Sequence, residues 1–376
     1  MSLTRRDAAR LAVLSAAGLA ARPAAAQATT VTLGVSAPIT GNQAQYGQDI
    51  RRGAELAVEQ LNAKKPIADT SFALVVEDSK GDPQEAANVA QKFAARGGIT
   101  AVVGDFSSTA SLAAGPIYQR AGIIMMTPTA SHPDITKAGN FIFRNTPIAA
   151  SEADAVTDWA TKDLGHKRIA VIGRNDDYGR AYGELFRKRA TANGATVVGE
   201  EYINADTQDL KPLITGMRAR RPDAVLLAMF QVEAALLFRQ SAEMNFRPVY
   251  LSGAGLFNPQ LISLARAAAN GMLLVSTYFP GSDRPQVKSF VELFKAKHDS
   301  VPSKFSAHAF DAVNMIADAI KRAGSTDRAK VRDALAATRN FQGVTGDVSI
   351  DADREVVMPL QRLMIADEQF VQWRPA

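Results

Sequence analysis

The sequence of 376 residues contains no cysteine and only four histidines. Without cysteine there is no disulfide, no thiol nucleophile and no cysteine-bound metal, so the chain depends on its hydrophobic cores for stability. The histidines are scattered, and neither a His-Glu-x-x-His nor a Gly-x-Ser-x-Gly motif occurs. No glycine-rich phosphate loop opens a predicted helix. These absences argue against an enzyme, and we expect no cofactor and no metal.

The chain also lacks a strong charge imbalance once its first 26 residues are set apart. Basic side chains number 43 and acidic ones 38, but segment 1–26 carries four of the basic and one of the acidic groups, which leaves +2 for the remainder. A nearly neutral chain offers no electrostatic reason to bind nucleic acid. Beyond residue 26, no apolar run reaches the roughly 18 residues that a membrane-spanning helix needs.

Residues 1–26 have the parts of an export signal. Arg5 and Arg6 form a basic start, residues 11–20 are apolar and small, and a run of alanines ends at Ala26. The apolar run is too short to span a bilayer. We therefore expect cleavage near Ala26 and a periplasmic mature chain. The arginine pair leaves open whether export follows the Sec or the twin-arginine route.

Predicted strands and helices alternate through most of the chain, first over about 31–146 and again over about 151–278. Such βα repetition predicts an α/β fold, and its occurrence in two series predicts two Rossmann-like lobes with parallel sheets. We expect 39–48 to be a loop that carries Tyr46. The C-terminal segment does not continue the βα alternation. We predict that residues 360–373 pair with residues 341–350 as a β-hairpin.

Small hydroxyl residues follow two of the buried strands in the first series. Ser107, Ser108 and Thr109 come after the strand at 99–103, where a helix should begin. The carboxyl ends of parallel strands meet at one rim, which is where open α/β sheets bind small molecules. A helix N-terminus at that rim suits an anion. The alternative is that these hydroxyls only cap the helix.

Five segments, taken in order, resemble the leucine/isoleucine/valine-type periplasmic binding proteins, the receptors of ABC importers. They read VTLGVSAPITGNQAQYGQDIRRGAELAVEQLN, VVGDFSSTAS, IIMMTPTAS, NDDYGR and DAVLLAMF. The resemblance covers essentially the whole mature chain. It implies the type I periplasmic binding protein fold, in which three hinge strands join the lobes. Lobe one would comprise 29–146 plus 279–340, and lobe two 147–278 plus 341–376.

The resemblance also implies a ligand site. A ligand carboxylate would meet Ser108, Ser131 and the backbone of Thr129, while a shift in register would exchange Ser108 for Ser107 or Thr109. Aromatic side chains would cover the ligand from both lobes. On the matching positions these are Tyr46 in lobe one, and Tyr178 and Phe230 in lobe two.

One departure from the family pattern bears on the ligand. Amino-acid-binding members hold the ligand ammonium with an acidic residue at the position of Ala254, and no acid occurs at 148–150 either. A buried ammonium without a partner costs several kcal/mol. We therefore expect an aromatic, aliphatic or 2-oxo acid, unless Glu233, Asp176 or Asp177 replaces the missing acid. The alternative is a branched-chain amino acid or amide.

The resemblance implies an ABC permease in the inner membrane as partner, and we expect a monomer that closes on its ligand. A soluble sensor for signalling is the alternative role. A DNA-binding regulator is disfavoured because no helix-turn-helix precedes residue 31. His132 lies beside the proposed rim, and His308 is a second histidine that we expect near the cleft.

Overall fold

Two β-sheets, each flanked by helices, form the frame of the protein in a computed structural model that describes residues 29–375. We call the layers around the five-stranded sheet lobe one and those around the seven-stranded sheet lobe two. The predicted export signal at 1–26 lies outside the described residues. None of the helices within 29–375 is long and apolar enough to cross a membrane.

Lobe one is built on an all-parallel sheet with the strand order β2-β1-β3-β4-β5. Its strands are β1 (Thr29–Ala37), β2 (Thr70–Asp78), β3 (Ile99–Val103), β4 (Ile124–Thr127) and β5 (Ile142–Arg144). The helices that connect the first four strands are α1 (Ala44–Lys64), α2 (Pro83–Arg96) and α3 (Ser108–Ala121).

Lobe two is built on a mostly parallel sheet with the order β14-β13-β10-β9-β8-β6-β7, in which only the pairs that involve β13 are antiparallel. Its strands are β6 (Arg168–Arg174), β7 (Thr196–Ile203), β8 (Ala224–Ala228), β9 (Val249–Ser252), β10 (Leu273–Ser276), β13 (Gln361–Ala366) and β14 (Gln369–Gln372). Its helices are α4 (Ala149–Asp158), α5 (Asp177–Ala192), α6 (Lys211–Arg220), α7 (Gln231–Glu243) and α8 (Pro259–Ala265).

The remaining α-helices are α9 (Pro285–His298), α10 (Lys304–Ala323) and α11 (Arg328–Ala336), and β11 (Phe341–Gln342) and β12 (Asp347–Val348) form a short ribbon. Helix α10 packs along α1 of lobe one. A Cβ on Gly53 of α1 would lie 2.1 Å from the backbone oxygen of Ser306, so the crossing of these helices requires glycine at that point. The start of α10 is thereby brought close to the start of α1.

The α/β class with two parallel-sheet lobes is confirmed, whereas two local predictions were wrong. Helix α1 begins at Ala44, so Tyr46 lies in its first turn rather than in a loop. The tail is not one hairpin: β11 pairs with β12, and β13 pairs with β14 and β10. Edge pairing to a distant strand is not visible in local periodicity. The lobe bounds given above stay a prediction.

Helix α10 holds together three chain segments that run between the lobes. His308 Nδ1 lies 3.0 Å from the carbonyl of Asn145, and Nε2 lies 2.7 Å from the hydroxyl of Thr277. One turn further, the Asp311 carboxylate accepts hydrogen bonds from the backbone N–H and the hydroxyl of Thr345, at 2.8 and 2.6 Å. Because a carbonyl only accepts, Nδ1 carries a proton and donates it to Asn145; the lowered pKa of His308 keeps the imidazole neutral near pH 7.

Stability should depend on pH through His308. Burial, together with nearby Lys304, lowers the pKa of His308 to about 3. An unfolded chain has a histidine pKa of about 6.5, so it binds the extra proton first and stability is lost as the pH falls below that value. We compare the free energy of unfolding of the wild type with that of His308→Asn. We expect the difference between them to fall by about 2 kcal/mol from pH 7 to pH 5, because only the wild type loses the stability that depends on neutral His308.

Urea denaturation at the two pH values measures this difference. The half-buried His166, replaced by asparagine, serves as the control and should show a smaller change. An advantage of the wild type that stays constant between pH 7 and pH 5 would contradict the role of His308.

Candidate functional site

The rim of lobe one that faces lobe two is lined by hydroxyl groups. Helix α3 begins there, and the Ser107 hydroxyl caps it by accepting the N–H of Ala110. The Ser108 hydroxyl accepts the N–H of His132 at 3.3 Å, and the Thr129 hydroxyl donates to a backbone carbonyl at 2.8 Å. These bonds join the start of α3 to the loop after β4. A helix N-terminus beside several hydroxyls is a favourable place for an anion.

Arg144, at the end of β5, supports that loop from behind. Its side chain is 0% exposed and donates to the carbonyls of Ala130 (3.3 Å) and His132 (2.8 Å), one residue on each side of Ser131. Its Nε lies 2.8 Å from a carboxylate oxygen of Glu355, although the two are not aligned as a hydrogen bond. Arg144 therefore supports the backbone on both sides of Ser131.

Aromatic rings from both lobes pack together opposite the hydroxyls. Tyr178, in the first turn of α5, stacks on Phe230 with ring centroids 5.1 Å apart and an angle of 11° between the planes. Tyr46 stacks on Phe106 at 4.5 Å and meets Phe305 edge-on at 4.5 Å. Such contacts add to the stabilisation from burial.

Tyr46 also makes a polar contact between the lobes. Its hydroxyl accepts the N–H of Gln231 at 3.0 Å. Gln231 is the first residue of α7, and the residue before it, Phe230, has no side-chain group that caps the helix. A lobe-one hydroxyl thus satisfies a donor at the start of a lobe-two helix, which stabilises the closed arrangement of the lobes.

An acidic side chain that the sequence analysis missed enters the same region. Glu152 in α4 is 3% exposed, and its Oε2 accepts hydrogen bonds from the Tyr182 hydroxyl (2.5 Å) and the Ala254 N–H (3.1 Å). Burial and the neighbouring carboxylate raise the pKa of Tyr182, so its hydroxyl stays protonated and donates. The carboxylate of Glu152 therefore lies beside Ala254, the position where the family pattern places its own acid.

A cavity lies between these groups. The volume open to the centre of a water-sized sphere is about 20 Å³, which holds about one water. Seven of the residues that line it were not predicted from the sequence: Phe106, Ala130, Glu152, Tyr182, Gly255, Lys304 and Phe305. A larger groove of about 460 Å³ lies elsewhere, and its lining includes none of the predicted site residues. We place the site in the small cavity because the hydroxyls and charged groups converge there.

Most of the predicted site residues meet at this cavity. Those that line it are Ser107, Ser108, Thr129, Ser131, Tyr178 and Phe230. Tyr46 packs against Phe106, which borders the cavity. Thr109 and Ala254 are not among the lining residues. The part that each of these side chains plays in ligand binding stays a prediction.

The acids suggested as substitutes at Ala254 are engaged elsewhere. Arg174 pairs with Glu233 at 3.0 Å and with Asp176 at 2.9 Å, and Asp177 is exposed. None of the three lines the cavity. His132 and His308 do not line it either.

Two of the missed residues were close to positions that the sequence analysis considered. Glu152 lies two residues beyond 148–150, in the first turn of α4. Lys304 is the first residue of α10. Extending the search for an acid by half a turn beyond 150 would have found Glu152, because motif and helix boundaries are the least certain part of a sequence prediction.

The family of periplasmic binding proteins matches residues 30–368. The chain therefore belongs to that family, and the two lobes make it a type I periplasmic binding protein of ABC transporters. Members of the family are substrate-binding receptors and not enzymes.

Three relatives illustrate the similarity. The leucine-, isoleucine-, valine-, threonine- and alanine-binding protein of Pseudomonas aeruginosa is 30% identical over 349 residues, which are 93% of this chain and 92% of the relative. The leucine-binding protein LivK of Thermotoga maritima has a TM-score of 0.87 at 28% identity and covers 92% of this chain and 98% of its own. LivJ of Streptococcus pneumoniae, solved with isoleucine, has a TM-score of 0.86 at 26% identity, and the match covers 91% of this chain and 98% of LivJ.

Proposed function

We propose that this protein is the periplasmic receptor that captures a small carboxylate ligand between its lobes and presents it to an ABC permease. The observation that carries the proposal is the convergence of Ser108, Ser131 and the start of α3 on one enclosed cavity. Hydroxyls and free backbone N–H groups stabilise a carboxylate at such a point, and the aromatic wall suits an apolar remainder.

We further propose that the ligand is an α-amino acid with an apolar side chain. Ala254 had argued against an ammonium group, but Glu152 places a buried carboxylate at the same point through the Ala254 N–H. Glu152 and Lys304 both line the cavity, and their opposite charges sum to zero although they form no ion pair, so a ligand without net charge keeps the buried site neutral overall. The names of two relatives support this choice: the Pseudomonas protein is named for leucine, isoleucine, valine, threonine and alanine, and the Thermotoga protein for leucine.

The second candidate is a carboxylate without an ammonium group: an aromatic, aliphatic or 2-oxo acid. It is favoured by the hydrogen bonds that Glu152 already receives from Tyr182 and Ala254, which partly satisfy the carboxylate without a ligand. The aromatic wall around Phe230 accommodates a flat ring equally well.

The proposed mechanism is hinge closure. A cavity of about 20 Å³ admits no amino acid, so the lobes must separate before the ligand enters. The carboxylate docks on lobe one, and closure then adds Tyr178 and Phe230 and expels water. Contacts between the lobes, such as Tyr46 with Gln231 and the Ala149 N–H with the Ser131 carbonyl (2.9 Å), favour the closed form. The protein acts as a monomer, and a sensor role in signalling would use the same closure.

Calorimetry with four ligands of related shape tests the proposal: L-leucine, 4-methyl-2-oxopentanoate, 4-methylpentanoate and benzoate. We expect L-leucine to bind most tightly, and Ser108→Ala to weaken binding about tenfold because a hydrogen bond to a charged group is lost. Thr109→Val is the matched control, since Thr109 does not line the cavity and its hydroxyl has no partner among the described residues.

If an acid without an amino group binds most tightly, the second candidate ligand, a carboxylate without an ammonium group, replaces the α-amino acid. Failure of every carboxylate to bind, or equal affinity in the wild type and Ser108→Ala, would overturn the proposed site.

A further inference from the structure

Lys304 is a buried cation in an unfavourable place. It is the first residue of α10 and only 3% exposed, and it lines the cavity. Burial removes water from the ammonium, and the N-terminal end of a helix carries partial positive charge, so both effects oppose a cation there. Burial accordingly lowers the pKa of Lys304, while the Glu152 carboxylate acts in the opposite direction.

The protein does little to compensate this charge. Among residues 29–375, neither a hydrogen bond nor an ion pair within 4.0 Å involves the Lys304 ammonium. The ammonium lies over the face of the Phe305 ring, 5.3 Å from the centroid. Glu152 influences it across the cavity but does not form an ion pair with it. Three donor sites of a buried ammonium therefore remain for something that enters the cavity.

We propose that Lys304 is a specificity-determining residue that binds the carboxylate of the ligand together with Ser108 and Ser131. This inference rests on the proposed carboxylate site and adds to it a full positive charge. A carboxylate that enters the cavity satisfies the ammonium, and the lobes exclude the water that would otherwise weaken the pair.

The charge sets what the site accepts. Lys304 makes an anionic group obligatory at this end of the ligand, because a carboxamide accepts a hydrogen bond but leaves the charge of the ammonium uncompensated. Glu152, on the α4 side of the cavity, then selects for a donor at a second position of the same ligand. The site thereby recognises a carboxylate by its charge as well as by hydrogen bonding.

The test compares each acid with the derivative in which an uncharged carboxamide replaces the carboxylate: L-leucine with L-leucinamide, and benzoate with benzamide. Lys304→Met is one heavy atom shorter than lysine and removes its charge. We expect the variant to bind the acid about 10- to 100-fold more weakly than the wild type does, because a hydrogen-bonded charged partner is lost. Binding of the amide should stay the same or tighten, because its uncharged carboxamide does not compensate the ammonium in the wild type. Lys295→Met, at an exposed lysine of α9, is the control and should leave both affinities unchanged.

A second measurement needs no ligand. Because the lysine is costly in the protein alone, Lys304→Met should raise the midpoint of thermal denaturation of the ligand-free protein, whereas Lys295→Met should not. Equal loss of acid and amide binding, unchanged acid binding, or a lowered midpoint in Lys304→Met would overturn the inference. Failure of the carboxylate proposal itself would appear differently, as wild-type protein that binds neither acid. The denaturation midpoint of Lys304→Met would then report only whether the buried lysine destabilises the ligand-free protein, and the inference would fall with the proposed ligand.

Discussion

Replacing Glu152 by glutamine is expected to weaken the binding of L-leucine by roughly 30-fold to several thousand-fold. The estimate follows from the roughly 2–5 kcal/mol lost when one member of a buried, hydrogen-bonded charge pair is removed. Glutamine has the same shape, and its carbonyl oxygen can still accept the hydrogen bonds from Tyr182 and Ala254. The substitution therefore removes the negative charge with little change in packing.

The 2-oxo acid analogue provides the internal comparison, since 4-methyl-2-oxopentanoate has no ammonium group. Its affinity should stay the same or rise in Glu152→Gln, because a carboxylate that repels the anionic ligand has been removed. Glu233→Gln is the matched control: Glu233 is held by Arg174 outside the cavity, so L-leucine should bind that variant as it binds the wild type. Unchanged L-leucine affinity in Glu152→Gln would show that Glu152 does not hold the ammonium.

The second large effect concerns stability. Arg144→Met is expected to lower the free energy of unfolding by about 3–5 kcal/mol, the usual cost of removing one partner from a buried ion pair. The loss leaves Glu355 without its cation and the carbonyls of Ala130 and His132 without donors. Burial lowers the pKa of Arg144, and Glu355 counteracts that shift, which is consistent with a guanidinium that depends on its partner.

Urea denaturation measures the loss, and Arg120→Met, at an exposed arginine of the same lobe, is the control. Affinity for the ligand should fall as well, because the loop that carries Ser131 loses its support. A change in stability below about 1 kcal/mol would mean that Arg144 is not essential to this loop, since buried ion pairs ordinarily cost more to break.

Sequence reasoning succeeded where the signal is local. The strand at Ile99–Val103 is short, apolar and fully buried, and Ser107 caps the following helix as a small hydroxyl residue should. Each of these features depends on neighbours a few residues away, so the pattern of residues predicts them.

The reasoning failed where side chains meet across the fold. Tyr46 was assigned to a loop because glycine and polar residues surround it, yet it caps a helix of the other lobe. Glu152 is far from Ala254 in the sequence, so it was not predicted, yet its carboxylate reaches the Ala254 N–H from α4. No periodicity relates such residues, because only the packing of the lobes brings them together.

The sequence by itself determined the two βα series, the hydroxyl-rich rim of lobe one and the membership of a receptor family, since short-range propensity and motif order carry that information. Tertiary structure alone decided the charges of the site. Lys304 and Glu152 come from helices on opposite sides of the hinge, and their effect on a ligand depends on burial and distance, which the linear chain does not contain.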